Sequence, residues 1–262
     1  MPLSPFQREI LRLLAGHRNP ESYVAGAIVI HRDDQSARFS HDVDIFHDVI
    51  ESVKQSAAAD GAFLQQSGFD VAWIAQQDAF CRARVTRGAE IVTLDWSFDS
   101  AFRFFPVERD PLLGYRLHLA DAAINKVLAL GGRREPRDYV DVLELDREYL
   151  SIAALCWAAC GKDPGFTPEL LLDEMDRNSH YRPEEFAGLQ LRCPLDLVEL
   201  KRRWIAARDA ARKLVLRLPA EHLGGLYLGA TGTPTTPNPD DPTFRSLTIH
   251  YGSVRGAWPT IR

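Results

Sequence analysis

Two carboxylates one residue apart are the strongest chemical signal in this chain: Asp42 and Asp44, in the run Arg38-Phe39-Ser40-His41-Asp42-Val43-Asp44-Ile45-Phe46-His47. On a β-strand, whose side chains alternate between faces, both acids project from one side while Val43 and Ile45 anchor the other. Hard oxygen ligands placed this way suit Mg²⁺, which is usually bound through one or two carboxylates plus substrate phosphates. An Asp-x-Asp pair is also an ordinary solvated strand edge, because acidic side chains are mostly exposed. Other residues bear on the choice. Gly26 follows the apolar Tyr23-Val24-Ala25 and precedes Ala27-Ile28-Val29-Ile30. A glycine there lets backbone approach a phosphate, and amides at a helix start favour an anion, although helix packing alone would also call for it. Asp95 interrupts the apolar run Ile91-Val92-Thr93-Leu94-Asp95-Trp96. If buried it needs a partner, which a shared metal ion would supply; at an edge it would simply face solvent. Lys126 is followed by Arg137-Asp138-Tyr139-Val140-Asp141, whose two acids lie three apart on one helical face.

The elements that must position these groups follow from patterning. Ser4-Pro5-Phe6-Gln7 starts a helix with Ser4 as N-cap and Gln7 closing a capping box, and Phe6, Ile10, Leu13 and Leu14 form its apolar stripe. Residues 31–37 read as a polar loop into the Asp42 strand. Residues 48–66 read as a helix with Val49, Val53, Ala57 and Leu64 to one side and Gly68 as its C-terminal cap. Strands are expected over 69–74, 80–86 and 91–96, with a turn at Arg87-Gly88-Ala89-Glu90. Helices follow over 119–130, ended by Gly131-Gly132, and through Arg137 to Leu143. Further helices are expected over 151–160, 168–178, 183–190 and 194–218. On the last, Leu197, Leu200, Trp204, Ala211, Leu214, Val215 and Leu218 face inward. Lys201, Arg208 and Arg212 border that face, with Arg202, Lys213 and Arg217 farther round. Such a stripe could track a phosphate backbone, or be a solvated flank whose stems cover apolar surface. The Thr/Pro/Asn/Asp-rich stretch 230–242 reads as a mobile loop, and 247–251 as a final strand.

The 262 residues suffice for two packed lobes. A net charge of −5 excludes a polybasic coat, so any nucleic-acid contact must come from a local patch. No stretch approaches the roughly 20 apolar residues of a membrane helix, and no signal-peptide layout opens the chain, so a cytoplasmic protein is expected. Cys81, Cys156, Cys160 and Cys193 lack metal or redox spacing and are expected to be reduced core residues, with Cys156 and Cys160 on one helix face.

Residues 23–46 and 126–145 together resemble the nucleotidyltransferase toxins of the AbiEii/AbiGii type, in the DNA polymerase β-like superfamily. Gly26, Asp42, Asp44 and Asp95 match, in order and approximate spacing, that superfamily's glycine, Asp-x-Asp and later third acid. Lys126 with Arg137-Asp138 and Asp141 is the second matching piece. The resemblance covers about the first 150 residues. It implies an α+β fold, with a polymerase β-like nucleotidyltransferase lobe and a short mixed sheet over 1–115 and a mainly helical C-terminal lobe over 116–262. It implies transfer of a nucleoside monophosphate from an NTP to an acceptor, RNA and in particular a transfer RNA end, by a toxin with a cognate antitoxin. Asp42, Asp44 and Asp95 would hold Mg²⁺ or Mn²⁺, with the active site in a cleft between the lobes. Lys126 would neutralise triphosphate charge, and Asp141, ahead of Asp138, would position Lys126 or act on the acceptor side. The resemblance supplies the acceptor class, and the stripe of Lys201, Arg208 and Arg212, outside the region it covers, is the basic surface that would hold the acceptor unless it is a solvated flank. Where the family carries serine or threonine after the glycine, this chain has Ala27, so nucleotide binding around Gly26 and Ala27 would lean on backbone amides, Lys126, Arg38 and Ser40.

Rival readings belong to other classes. A retired nucleotidyltransferase fold serving as a nucleotide- or RNA-binding interaction module is favoured by Ala27. A metal-dependent glycosyltransferase also uses Asp-x-Asp, but the 41 residues before Asp42 leave little room for its nucleotide-sugar-binding half.

Overall fold

A computed structural model describes residues 3–31, 38–40 and 42–260. His41 and most of the expected 31–37 loop lie outside the described residues. The chain divides into two compact units. The first comprises Met1–Ala101 with Pro106–Leu119, and the second Phe102–Phe105 with Ala120–Arg262.

In the first unit α1 (Pro5–Leu14) starts as its sequence dictates: the Ser4 hydroxyl accepts from the Gln7 amide at 3.0 Å, and the Gln7 side chain accepts from the Ser4 amide at 2.9 Å. Then come β1 (Ser22–Ala25), the single-turn α2 (Ala27–Ile30), β2 (Asp42–His47) and α3 (Ile50–Gln66). Next are β3 (Asp70–Gln76), β4 (Phe80–Arg87) and β5 (Glu90–Phe98). Strand β6 (Phe102–Arg103) belongs to the second unit, and the chain returns to the first for β7 (Glu108–Asp110) and β8 (Gly114–Arg116). These three short strands carry no alternation long enough to announce them. The sheet has seven strands in the order β3-β4-β5-β2-β1-β8-β7. It is mixed, as expected for an α+β fold: β2 runs parallel to β5 and antiparallel to β1.

One sheet face is apolar. Val43, Ile45, Ala83, Val85, Leu94 and Trp96 join Phe6, Ile10, Leu14, Val53, Ala57 and Leu64 of α1 and α3 in a single core. Val49 is not part of that face: it caps α3 and is exposed, because the helix begins one residue later. Under the same sheet Asp60 is fully buried, and it accepts from Arg18, His17 and Trp96 Nε1, so its charge is compensated on site.

The second unit holds α4 (Leu119–Gly132), α5 (Pro136–Glu148), α6 (Ile152–Lys162), α7 (Pro168–Asn178) and α8 (Leu197–Val215). It also holds β9 (Gly225–Leu228), β10 (Thr248–Tyr251) and β11 (Ser253–Val254). Strand β10 pairs with β9, and β11 with β6. Helix α6 is buried on every side from Ile152 to Cys160, which suits its near-absence of polar residues. Four expectations need correction. The 183–190 segment makes only a 3₁₀ turn, Pro183–Phe186, having no apolar stripe long enough to bury. The last helix begins at Leu197, because the Asp196 side chain, accepting from the Val198 and Glu199 amides, starts it. The 230–242 stretch is pinned rather than loose: Gly229 N donates to Thr233 O, Thr235 N to Tyr227 O, Ser151 N to Thr236 Oγ1, and Arg217 pairs with Asp240. Cys193 is exposed, whereas Cys81, Cys156 and Cys160 are buried; all four are free thiols.

Candidate active site

Strand β2 displays Asp42, Asp44 and Phe46 on the sheet face opposite the core, and the strict alternation of its burial follows the Asp-Val-Asp-Ile pattern. Register supplies the rest. Asp44 lies directly across from Asp95 on the parallel β5, and Asp95 directly across from Arg82 on β4. One step along, Asp42 faces Thr93, and Thr93 faces Arg84. Two rows therefore cross the sheet, each running from an acid on β2 to an arginine on β4.

Asp95 is buried, as its apolar neighbours require, and its partner is Arg82. Arg82 Nε donates to Oδ1 at 2.7 Å and Nη2 to Oδ2 at 2.6 Å, a planar two-point match. The Arg82 side chain keeps 38% of its surface exposed and rests over the Phe80 ring at 5.2 Å. Its proton is held more tightly than usual, first by the Asp95 hydrogen bonds and then, against partial burial, by the charges of Asp95, Asp42 and Asp44. Neither Arg82 nor Arg84 was among the residues singled out by sequence. The signal was present: the tight Gly88-Ala89 connection pairs Arg87 with Glu90, and counting back five residues on each strand sets Arg82 against Asp95.

Gly26 is where backbone and carboxylate meet. It has φ +67°, and a Cβ there would lie 2.0 Å from Asp44 Oδ2, so any side chain would evict the acid. Gly26 caps only the single turn of α2, and Ala27 is buried within it. Ser40 donates its hydroxyl to Asp42 O at 2.8 Å, and its carbonyl accepts from Gln7 Nε2 at 2.7 Å, which ties the strand entry to α1. Arg38 is buried and donates to Phe39 O at 3.0 Å.

The donor set suits a hard divalent cation in part. Asp42 and Asp44 present carboxylates from one strand face, the number of protein ligands Mg²⁺ commonly takes, whereas both oxygens of Asp95 are engaged by Arg82. Among the described residues, no group of three or more His, Cys, Asp or Glu side chains is arranged to hold a metal ion.

In the second unit Lys126, on α4, is buried, with its Nζ 2.9 Å from Asp138 Oδ1 and 3.1 Å from Asp141 Oδ2 on α5. Asp138 also accepts from Arg133 Nε at 2.7 Å. Burial raises the Asp138 carboxyl, but Lys126 and Arg133 outweigh it and hold it below the ordinary range. Both acids, not one, position the lysine. On α8, Arg208 bonds both oxygens of Asp176 at 3.1 Å, and Arg212 pairs with Asp173 at 2.7 Å. Those two arginines are thus neutralised by α7, while Lys201, nearer the helix start, forms no salt bridge among the described residues and adds a longer-range attraction to Asp176.

No protein-family model and no curated protein sequence matches the chain. Solved structures do. MenT4, a nucleotidyltransferase toxin from Mycobacterium tuberculosis, is 14% identical with a TM-score of 0.54, over 82% of this chain and 83% of that one. JHP933 from Helicobacter pylori is 18% identical with a TM-score of 0.48, over 80% of this chain and 90% of that one. The likeness to MenT4 shows that the chain has a nucleotidyltransferase fold.

Proposed function

We propose that this chain is a metal-dependent nucleotidyltransferase, a toxin that moves a nucleoside monophosphate from an NTP to an RNA acceptor, with a transfer RNA end as the favoured substrate and a cognate antitoxin as partner. The observation that carries the reading is the carboxylate row Asp44–Asp95, with Asp42 beside it and Gly26 making room for Asp44, on the sheet face away from the apolar core in a nucleotidyltransferase fold. In this reading Asp42 and Asp44 hold Mg²⁺ or Mn²⁺. A divalent cation there supplies charge stabilisation to the attacking and leaving oxygens of an in-line displacement. The chain's own residues do the positioning. Ser40 fixes the backbone at Asp42, and the missing side chain of Gly26 leaves room for the Asp44 carboxylate. Arg82 is held in place by Asp95 through Nε and Nη2, and its remaining N–H groups would be donors to phosphoryl oxygens beside the acids.

The test is incubation of the purified chain with each of four α-labelled NTPs, total RNA, and Mg²⁺ or Mn²⁺. Label should enter RNA only with the cation present, and should be lost in Asp42→Asn and Asp44→Asn. Absence of labelled RNA with every NTP and both cations would overturn the enzyme. It would leave the interaction module, which is favoured by the missing hydroxyl at Ala27 and by the Arg82 grip on Asp95.

A further inference from the structure

The second unit contains a pocket of about 550 Å³ between α5, the 3₁₀ turn and the start of α8. Its apolar side is aromatic. Tyr139 and Phe186 are buried, and Tyr181 packs against both, with ring centroids 5.5 and 5.6 Å away. The Tyr181 Oη is shielded from solvent and has no hydrogen-bond partner, an unmet polar group of the kind ligands satisfy. Burial first, then the nearby Asp138 charge, raises the Tyr181 phenol well above its ordinary range against the pull of Arg134, so it stays a neutral donor at neutral pH.

The polar side is cationic. Arg134, Arg182 and Lys201 line the pocket and no acidic residue does, in a chain whose net charge is −5. Arg134 is committed: it pairs with Glu185 and lies over the Tyr181 ring at 4.8 Å. Arg182 and Lys201 form no salt bridge among the described residues, only longer-range attractions to Glu185 and Asp176, unlike Arg202, Arg208 and Arg212 on the same stretch of chain, which pair directly with Glu199, Asp176 and Asp173. Cations not held in a direct salt bridge, beside an aromatic floor, suit a ligand with a flat ring and a phosphate. The volume falls within the range that takes a small molecule of that size.

We infer that this pocket binds a nucleoside monophosphate unit, its base against the aromatic side and its phosphate toward Lys201 and Arg182. That unit could be a free nucleotide or one residue of single-stranded RNA. The inference deepens the proposed activity by giving the second unit a nucleotide grip, and its test needs no catalysis.

Binding is measured on the full chain carrying Asp42→Asn and Asp44→Asn, in EDTA, by calorimetry and by the fluorescence of the buried Trp204, which packs on Tyr139 at 5.2 Å. The probes are AMP, adenosine, inorganic phosphate and a single-stranded adenosine hexanucleotide. AMP should bind, and adenosine and phosphate should each bind at least about tenfold more weakly, since each lacks half of the recognition. Lys201→Gln and Arg182→Gln should each weaken AMP by about tenfold or more, the size of a lost charge-assisted contact. Tyr181→Phe, which keeps the ring, should weaken it less. A hexanucleotide that displaces AMP and binds tighter assigns the pocket to RNA, while one that binds no better assigns it to the free nucleotide. The inference is overturned if neither AMP nor the hexanucleotide binds, if phosphate alone matches AMP, or if the double variant at Lys201 and Arg182 binds AMP like its parent. Failure of labelled transfer with this binding intact would count against the enzyme and not against the pocket.

Discussion

The two acidic clusters treat charge in opposite ways. On β2, Asp42 and Asp44 stand side by side on the sheet face away from the core, and Asp95, one strand over, is tied to Arg82, which keeps over a third of its side chain exposed and also feels the charges of Asp42 and Asp44. Around Lys126, two acids with no exposure at all close on a buried ammonium, and Arg133 adds a second cation. The first arrangement sets like charges side by side on a face that, under the proposed function, a cation would occupy. The second uses up its charges internally, so its worth lies in holding α4 to α5. The same residue type, an aspartate on a regular element, is therefore expected to matter for ligand in one place and for stability in the other.

The largest effect should follow from breaking the closed cluster. Lys126→Ala removes the cation that lies against the buried Asp138 and Asp141, and removal of one partner from such a cluster typically costs about 3–5 kcal/mol. Urea unfolding should show that loss without any nucleotide present. A variant that melts like the parent would mean that Asp138 and Asp141 do not need the lysine, and would return it to the role of a substrate cation in a tolerant fold.

Asp121 sharpens the comparison, because it is buried against main-chain amides instead of a side-chain cation. It accepts from the Phe104 and Phe105 amides at 2.7 and 3.0 Å. Burial pushes its carboxyl up to about 6, against the pull of those two amides and of the Lys162 and Arg103 charges. The folded value lies above the unfolded one near 4, so the folded state holds the proton more tightly. The stability this contributes is fully present below about pH 4 and is lost as pH rises through about 6, on the order of 3 kcal/mol. Relative to Asp121→Asn, the parent should lose stability across that window in chemical unfolding. Parallel pH profiles for the two proteins would show that the amides hold the ionised form as well as water does.

How much of this could be read from sequence depends on the range of the forces involved. Local chemistry was legible: the Ser4–Gln7 capping box, the Pro168–Asn178 helix, the same-face placement of Asp42 and Asp44, and the inward Leu200, Trp204, Ala211, Val215 and Leu218 all came from spacing within one element. Gly26 was legible as a close approach, although what approaches it in the structure is a side chain, Asp44. Pairing between elements was not. Arg82 carries no signal within its own strand, because its partner is thirteen residues away across a turn, and the α8 arginines read as a basic stripe because the acids that meet them sit on α7. Lys126 was legible as a lysine needing a partner, but its burial depends on how α4 and α5 pack, which no single-helix pattern encodes.

The smallest stability effect should come from the open site itself, and it can be tested together with its glycine. Asp42→Ala and Asp44→Ala each remove one of two neighbouring like charges together with its attraction to Arg82, so each variant should melt near the parent while losing transfer. Gly26→Ala differs, because φ +67° disfavours any side chain and the new methyl would sit 2.0 Å from Asp44 Oδ2. A loss of about 1–3 kcal/mol is expected. Removing the obstacle separates the two causes. In an Asp44→Ala background the clash is gone and only the backbone penalty is left, so Gly26→Ala should cost less there than in the parent. Non-additivity of that sign in the double-mutant cycle means that glycine is present at position 26 to seat the carboxylate. Strict additivity would reduce Gly26 to a backbone turn and detach it from the candidate site.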